Sequence, residues 1–220
     1  MQHLSWRQRY WARSQLGYPS FMQAQPNEAH HGLVALERCG RVSAVITQNV
    51  DRLHQRAGQH RVLDLHGRLD QVRCMACEQR ISRQSVQSWL LENNAWINDA
   101  QFTPAPDGDA DIELDFSRVQ VPQCQQCGGL LKPDVVFFGD TVPKADVEQG
   151  YDWIEQADAV LVVGSSLMVY SSFRFVRRAH EQGIPITAIN RGKTRGDELF
   201  STKAEVDCAL GLSALTEALA

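Results

Sequence analysis

The 220-residue sequence has no apolar stretch approaching the roughly 18 residues that a membrane-spanning helix requires, so no membrane partner is expected. It also lacks a strong excess of either charge. A net charge of -4 and a pI near 6.0 give no overall basic footprint, which disfavours nucleic acid as a partner. The residues after Met1 are polar and aromatic rather than a charged start leading into an apolar core, so no export signal is expected. Cysteine is scarce: of six, four form the close pairs Cys74/Cys77 and Cys124/Cys127, while Cys39 and Cys208 stand alone. That is the arithmetic of metal ligands more than of a disulfide framework, and it points to a reducing, cytoplasmic compartment. No internal repeat is present. We expect a monomer.

The patterning is that of an α/β protein. Trp6 to Gly17 predicts a helix broken by Gly17-Tyr18-Pro19, and Pro26 to Cys39 a second, with Pro26 in its first turn and Gly40 past its end. Val42 to Thr47 reads as a short buried strand ending in Gln48-Asn49-Val50-Asp51, and Val62 to Leu65 as another leading into His66-Gly67. From Val72 to Leu130 the character changes to a polar insert flanked by the cysteine pairs. Lys132 to Asp140 then predicts a strand. Ala159 to Val163 is the plainest one, five consecutive apolar residues of the kind covered on both faces in a parallel sheet. Gly164-Ser165-Ser166, a helix from about Ser172 to Gln182 and a strand Ile184 to Ile189 complete a crossover unit. Val206 to Leu210 predicts a last short strand. The boundaries drawn on this basis are 1–72 and 130–220 for the two parts of one α/β domain, and 73–129 for an inserted module.

Two Cys-x-x-Cys turns offer four thiolates, which close a tetrahedral zinc shell and leave no open position for catalysis. One structural zinc is the reading, against disulfides or unligated thiols. His66 follows a buried strand. A lone histidine is more often a structural hydrogen-bonder, yet it is also the side chain best suited to take a proton near neutral pH. Gln48 to Asp51 is either a plain turn or a set of polar groups for a ribose and an amide. Gly164-Ser165-Ser166 is either an ordinary loop or a phosphate contact. Asn190-Arg191-Gly192 is weak alone, but all three lie at ends of strands in one sheet, where such folds bind ligands. The residues themselves reach a nucleotide-binding α/β protein with a structural zinc.

Thr47-Gln48-Asn49-Val50-Asp51-Arg52-Leu53-His54, Leu65-His66-Gly67, the four cysteines, Lys132 to Asp140, Gly164-Ser165-Ser166-Leu167 and Ile189-Asn190 occur in an order and spacing that resemble the sirtuins. Arg7 to Arg13, with Ala105-Pro106-Asp107-Gly108-Asp109, looks most like the class II branch that includes a lipoamidase-like member. The resemblance implies a Rossmann-like parallel sheet with an inserted zinc-ribbon module, and NAD-dependent removal of acyl groups from the lysines of an acylated protein partner. Nicotinamide and O-acyl-ADP-ribose would be the products. It implies His66 as catalytic residue, drawing a proton from the ribose hydroxyls. Gln48, Asn49, Val50 and Asp51 would hold nicotinamide and its ribose, while Gly164, Ser165, Ser166, Asn190, Arg191, Gly192 and Cys208 would contact the rest of NAD. Val135, Val136, Phe138 and Gly139 would flank the acyl-lysine. Tyr10 and Arg13 have the spacing that acid-selective deacylases use to hold a carboxylate, the alternative being an exposed or packing helix. Two departures accompany these matches. Such proteins open with a strand, a Gly-Ala-Gly-x-Ser loop and a Gly-(Ile/Val)-Pro segment that the sequence does not contain, so the expectation is either an upstream start or a degenerate relative. Asp140 also stands where many carry Glu. Rival expectations are a non-catalytic acyl-peptide-binding module and a mono-ADP-ribosyltransferase.

Overall fold

The computed structural model describes residues 3–104 and 110–219. In chain order they form α1 (Leu4–Gln23), α2 (Glu28–Arg38), β1 (Val45–Thr47), α3 (Leu53–Ala57), β2 (Val62–Asp64), β3 (Gly67–Cys74), β4 (Arg80–Ser82) and α4 (Arg83–Asn93). There follow β5 (Thr103–Pro104), β6 (Ala110–Asp111), β7 (Leu131–Val135), α5 (Lys144–Glu155), β8 (Val160–Val163), α6 (Tyr170–Glu181), β9 (Ile186–Ile189), β10 (Thr202–Ala204) and α7 (Cys208–Leu219). No described helix is long and apolar enough to cross a membrane. The chain divides into two compact units, Met1–Ala24 with Gly67–Val135, and Gln25–His66 with Val136–Ala220.

The first unit carries the four paired cysteines, and it includes the N-terminal helix, which the boundary at 72/73 assigned elsewhere. The reason is burial: Trp11 and Ala12 are wholly inaccessible, Trp11 packing with Val72, Val86, Leu90 and Leu131, and Ala12 with Ile97 and Val119. Helix α1 also runs through Gly17-Tyr18-Pro19 instead of ending there. A proline removes the helical partner of the carbonyl four residues back, here Gln15, and Gln87 Nε2 donates to that oxygen at 2.7 Å. Arg83 is buried, its guanidinium over the Tyr18 ring at 4.2 Å and donating to the Ser14 hydroxyl at 2.9 Å; burial pulls its pKa down to about 10. The sheet of this unit is antiparallel in the order β4-β3-β7. Strand β7 thus stops at Val135 and pairs within the cysteine unit, where the sequence suggested a longer strand of the α/β part. Pro133, which cannot donate, is tolerated because β7 is an edge strand.

The second unit is the α/β part. Parallel pairs β1-β2 and β8-β9-β10 form two groups, with α6 crossing over from β8 to β9 as expected. Among the described residues β1 and β8 each pair on one edge only, and a cavity of about 240 Å³ is lined by both, including Val42, Ile46, Val160, Val162 and Val163. The core of Leu65, Val162, Phe175, Val176, Ile186 and Ala188 lies under α5 and α6, where Tyr151 and Phe175 meet edge to face at 5.4 Å. Gly150 is required by that closeness, since a Cβ there would stand 2.5 Å from the Phe175 ring. Helix α2 begins one residue after Asn27, which caps it with His30 in a reciprocal box, so Pro26 precedes the cap instead of forming the first turn. The strand expected at Val206 to Leu210 is instead the start of α7, because Asp207 Oδ1 accepts from Ala209 N at 2.9 Å and nucleates a helix. Cys39 ends α2 at an exposed position.

Candidate functional site

In the first unit the four predicted metal ligands converge. Their sulfur atoms all lie within 4.8 Å of one another, with Cys74–Cys127 at 3.5 Å and Cys77–Cys124 at 3.8 Å. Sulfurs about 2.3 Å from a central tetrahedral zinc would be separated by about 3.8 Å, whereas a disulfide needs about 2.05 Å. The cage therefore fits zinc and no disulfide. Both turns have one build: Glu78 N donates to Cys74 O and Gly128 N to Cys124 O, and these two residues after each second cysteine adopt a left-handed backbone. Gly128 takes that conformation freely. Glu78 takes it at a cost, with Arg73 bound to its carboxylate. The backbone N–H groups of Cys77 and Ala76 pull Cys74 down to about 6. Cys127, although the Gly129 N–H acts to lower it, is pushed up to about 12 through hydrogen bonds with the Cys77 and Cys74 sulfurs. One thiolate formed in such a cage opposes the next, which is the condition a divalent cation relieves.

In the second unit the predicted nucleotide residues gather at the carboxyl ends of β1, β2, β8 and β9. Gln48 Nε2 donates to Ser165 Oγ at 3.0 Å, tying the ends of β1 and β8. The loop after β8 is tightly wound: Gly164 and Leu167 both have positive φ, 60° and 56°, and Leu167 N donates to Ser165 Oγ at 3.2 Å. Gly164 N bonds Ile189 O, and Cys208 Sγ lies 3.8 Å from the same carbonyl, so the β8, β9 and α7 contributions meet at one point. Burial raises the Cys208 thiol, and a Cβ on Gly164 would stand 3.1 Å from its sulfur. Asn190 is buried, its amide donating to Arg191 O at 2.8 Å and thereby shaping the Arg191-Gly192 turn. Asn49 N donates to Thr47 Oγ1 and Leu53 N to Asp51 Oδ1, so Asp51 also starts α3. Amide, hydroxyl, carboxylate and guanidinium groups on one strand-end edge form a donor and acceptor set that complements the carboxamide, hydroxyl and phosphate groups of a nicotinamide dinucleotide.

His66 follows β2 and is partly buried. Its ring is held by the Gln48 backbone and by Ser171, with Nε2 2.7 Å from the Ser171 hydroxyl. Burial draws its pKa below the ordinary histidine value, the Gln48 bond opposing, so the ring is neutral and able to accept a proton at neutral pH. Of the residues expected to flank the substrate, Val136 N donates to His66 O at 2.9 Å, and in the same loop Asp140 closes a turn on Phe137 N at 3.2 Å. That turn leaves Phe138 98% exposed and puts Gly139 at φ +89°. Val135 ends β7 in the first unit, where Lys132 Nζ donates to its carbonyl. Tyr10 and Arg13 lie on α1, Arg13 Nη1 meeting Asp111 Oδ1 at 3.3 Å. The Ala105 to Asp109 stretch lies outside the described residues.

Sequence reasoning missed three features. Ser171 is 105 positions from His66 and reads as an ordinary helix residue. Asp64, which binds Arg52 and Gln55 and so anchors the loop after β1, looked like a strand residue. Leu167 gave no signal of its left-handed backbone.

The chain matches the model of the Sir2 family over residues 1–171. It is 55% identical over 218 residues to the NAD-dependent protein deacetylase of Xanthomonas campestris pv. campestris (strain 8004), a match covering 99% of this chain and 74% of that protein. It is 45% identical over 203 residues to the NAD-dependent protein deacylase Sirt4 of Drosophila melanogaster, covering 92% and 65%. Among solved structures, a Sir2 complex with p53 peptide and NAD+ superposes with a TM-score of 0.73 at 30% identity, covering 90% of this chain and 72% of that one.

Proposed function

The chain belongs to the Sir2 family, and from that premise we propose how its residues carry out NAD-dependent deacylation of protein lysines. The observation that carries the reading is the placement of His66, its Nε2 2.7 Å from the Ser171 hydroxyl, beside the Gln48–Ser165 tie at the strand ends. NAD supplies the electrophilic ribose carbon that the acyl oxygen attacks as nicotinamide leaves. Everything else falls to the chain. Gln48, Asn49 and Asp51 hold the carboxamide and its ribose. Gly164, Ser165 and Ser166 meet the phosphate side, where their backbone N–H groups complement negative charge. Asn190, Arg191, Gly192 and Cys208 frame the remainder, and Val50 shapes the turn that presents its neighbours. His66 Nε2 takes the proton from a ribose hydroxyl, a step for which a positioned base is worth about 10²- to 10⁴-fold. The acylated peptide adds as a strand along Val135, Val136, Phe138 and Gly139, where backbone groups give affinity and side chains give selection.

The four cysteines hold one zinc ion, which stabilises its unit and takes no part in the proton transfer. On α1, Tyr10 and Arg13 are three residues apart and so share one helix face. We assign them to a carboxylate on the acyl chain, and with it the chain to the class II branch. The compartment we assign is the cytoplasm, and the form a monomer. The test is nicotinamide release in the presence of NAD and an acyl-lysine peptide. Release requiring both, and falling at least 100-fold in His66→Ala, supports the reading. Release that does not need the peptide, or that survives loss of His66, overturns it.

A further inference from the structure

His66 is held at Nε2 by Ser171, and the Gln48 backbone lies against its ring. The Gln48 backbone bond raises the ring's proton affinity, so it engages a ring N–H with the carbonyl. The Nε2 edge then faces Ser171 Oγ at 2.7 Å. In the tautomer whose N–H is on Nδ1, the Nε2 lone pair accepts from the serine hydroxyl. Ser171 is only 8% exposed and lies in the first turn of α6, whose start is fixed by Ser172 and Phe173 N–H groups donating to Val169 O. The preceding loop carries Ser165, the partner of the Gln48 side chain. Gln48 and the loop–helix segment 164–171 thus each hold both the ring and one another.

We propose that Ser171 is a positioning residue for His66, a role that the sequence did not suggest and that rests on His66 being the base of the deacylation. A hydroxyl suits the place because it can reverse its sense. Before proton transfer Ser171 donates to Nε2. When the ribose hydroxyl reaches Nε2 the serine hydrogen turns away and yields the single lone pair; the ribose O–H bond then breaks, the Nε2–H bond forms, and the serine oxygen accepts from that N–H of the imidazolium. Neither an alanine nor a carbonyl does both. With Ser171 in place the ring plane is fixed by two bonds; without it the ring turns about the Gln48 bond alone and is aligned for a smaller part of the time. Loss of one such neutral hydrogen bond at the transition state corresponds to about tenfold in rate.

The experiment compares Ser171→Ala, Ser171→Thr and Ser172→Ala with the unaltered protein. The control residue's hydroxyl bonds Val169 O at 3.1 Å. The expected result is a drop of about tenfold in kcat for Ser171→Ala with the KM for NAD within twofold, recovery of most of that loss in Ser171→Thr, and wild-type kinetics in Ser172→Ala. A kcat within twofold of wild type in Ser171→Ala, an effect confined to KM, or an equal loss in Ser172→Ala overturns the proposal. Ring ¹⁵N spectra of His66 provide a reading that does not depend on turnover. The unaltered protein should show distinct protonated and unprotonated nitrogens, and Ser171→Ala a partly averaged pair. Identical spectra would contradict the contact. A protein that never consumes NAD would sink the role of His66, while these spectra would still decide whether Ser171 fixes its ring.

Discussion

Replacing Gly129 by alanine would press a methyl group into the sulfur cage. The added Cβ would stand 2.8 Å from Cys74 Sγ, 2.8 Å from Ala76 Cβ and 3.1 Å from Cys127 Sγ, against ordinary contacts of about 3.5–4.0 Å. Two of the four ligands must therefore give way by roughly 0.4–0.7 Å, where zinc sites tolerate about 0.2 Å. Backbone strain adds nothing, because Gly129 is not in the left-handed region. The whole effect falls on ligand geometry. Disturbances of the shell around a metal weaken binding about 10- to 100-fold, or roughly 1.4–2.7 kcal/mol. The assay is competition for zinc against a chromophoric chelator, read beside the melting temperature of the zinc-loaded protein. Zinc affinity in Gly129→Ala within twofold of wild type would refute the reasoning, and with it the inference that the glycine is there to make room for the metal cage.

Three further outcomes are expected. Burial holds His30, His54 and His66 below the ordinary value of 6.5 in the folded chain, so on acidification the unfolded chain binds protons first. Stability is then full well above pH 6.5 and is lost as the pH falls from there through the folded values, which denaturant melts at pH 7.5, 6.5 and 5.5 would show; a midpoint that rises with acidification contradicts it. By the same shift the acid limb of kcat/KM should lie below 6.5, and a limb above that value would remove His66 as its origin. Arg13→Met should reduce turnover of a succinyl-lysine peptide about tenfold or more while sparing the acetyl peptide, given that charge-assisted bonds are worth about 1.5–3 kcal/mol; equal losses on both would end the acid-acyl assignment.

The α/β units and the metal ligands were legible because their signals are local. Val160–Val163 is a run that only a doubly covered strand tolerates, and the Cys-x-x-Cys turns carry their geometry in four residues. Gln48, Ser165 and Asn190 could be grouped because strand ends of one sheet share an edge. What escaped was set by long-range packing. Helix α1 passes Pro19 because Gln87, 72 positions from Gln15, supplies the hydrogen bond that proline takes from the Gln15 carbonyl. The same helix belongs with the cysteines because Trp11 is buried there, which periodicity alone does not say. The turn at Asp207 decided between strand and helix for Val206 to Leu210 through one side-chain cap. Ser171 carried no motif at all.

The most direct test of the account is a product inventory by mass spectrometry after reaction with NAD and an acyl-lysine peptide. The account predicts equal amounts of nicotinamide, deacylated peptide and O-acyl-ADP-ribose, all lost together in His66→Ala. ADP-ribose attached to protein, with the acyl group still on its lysine, would contradict it.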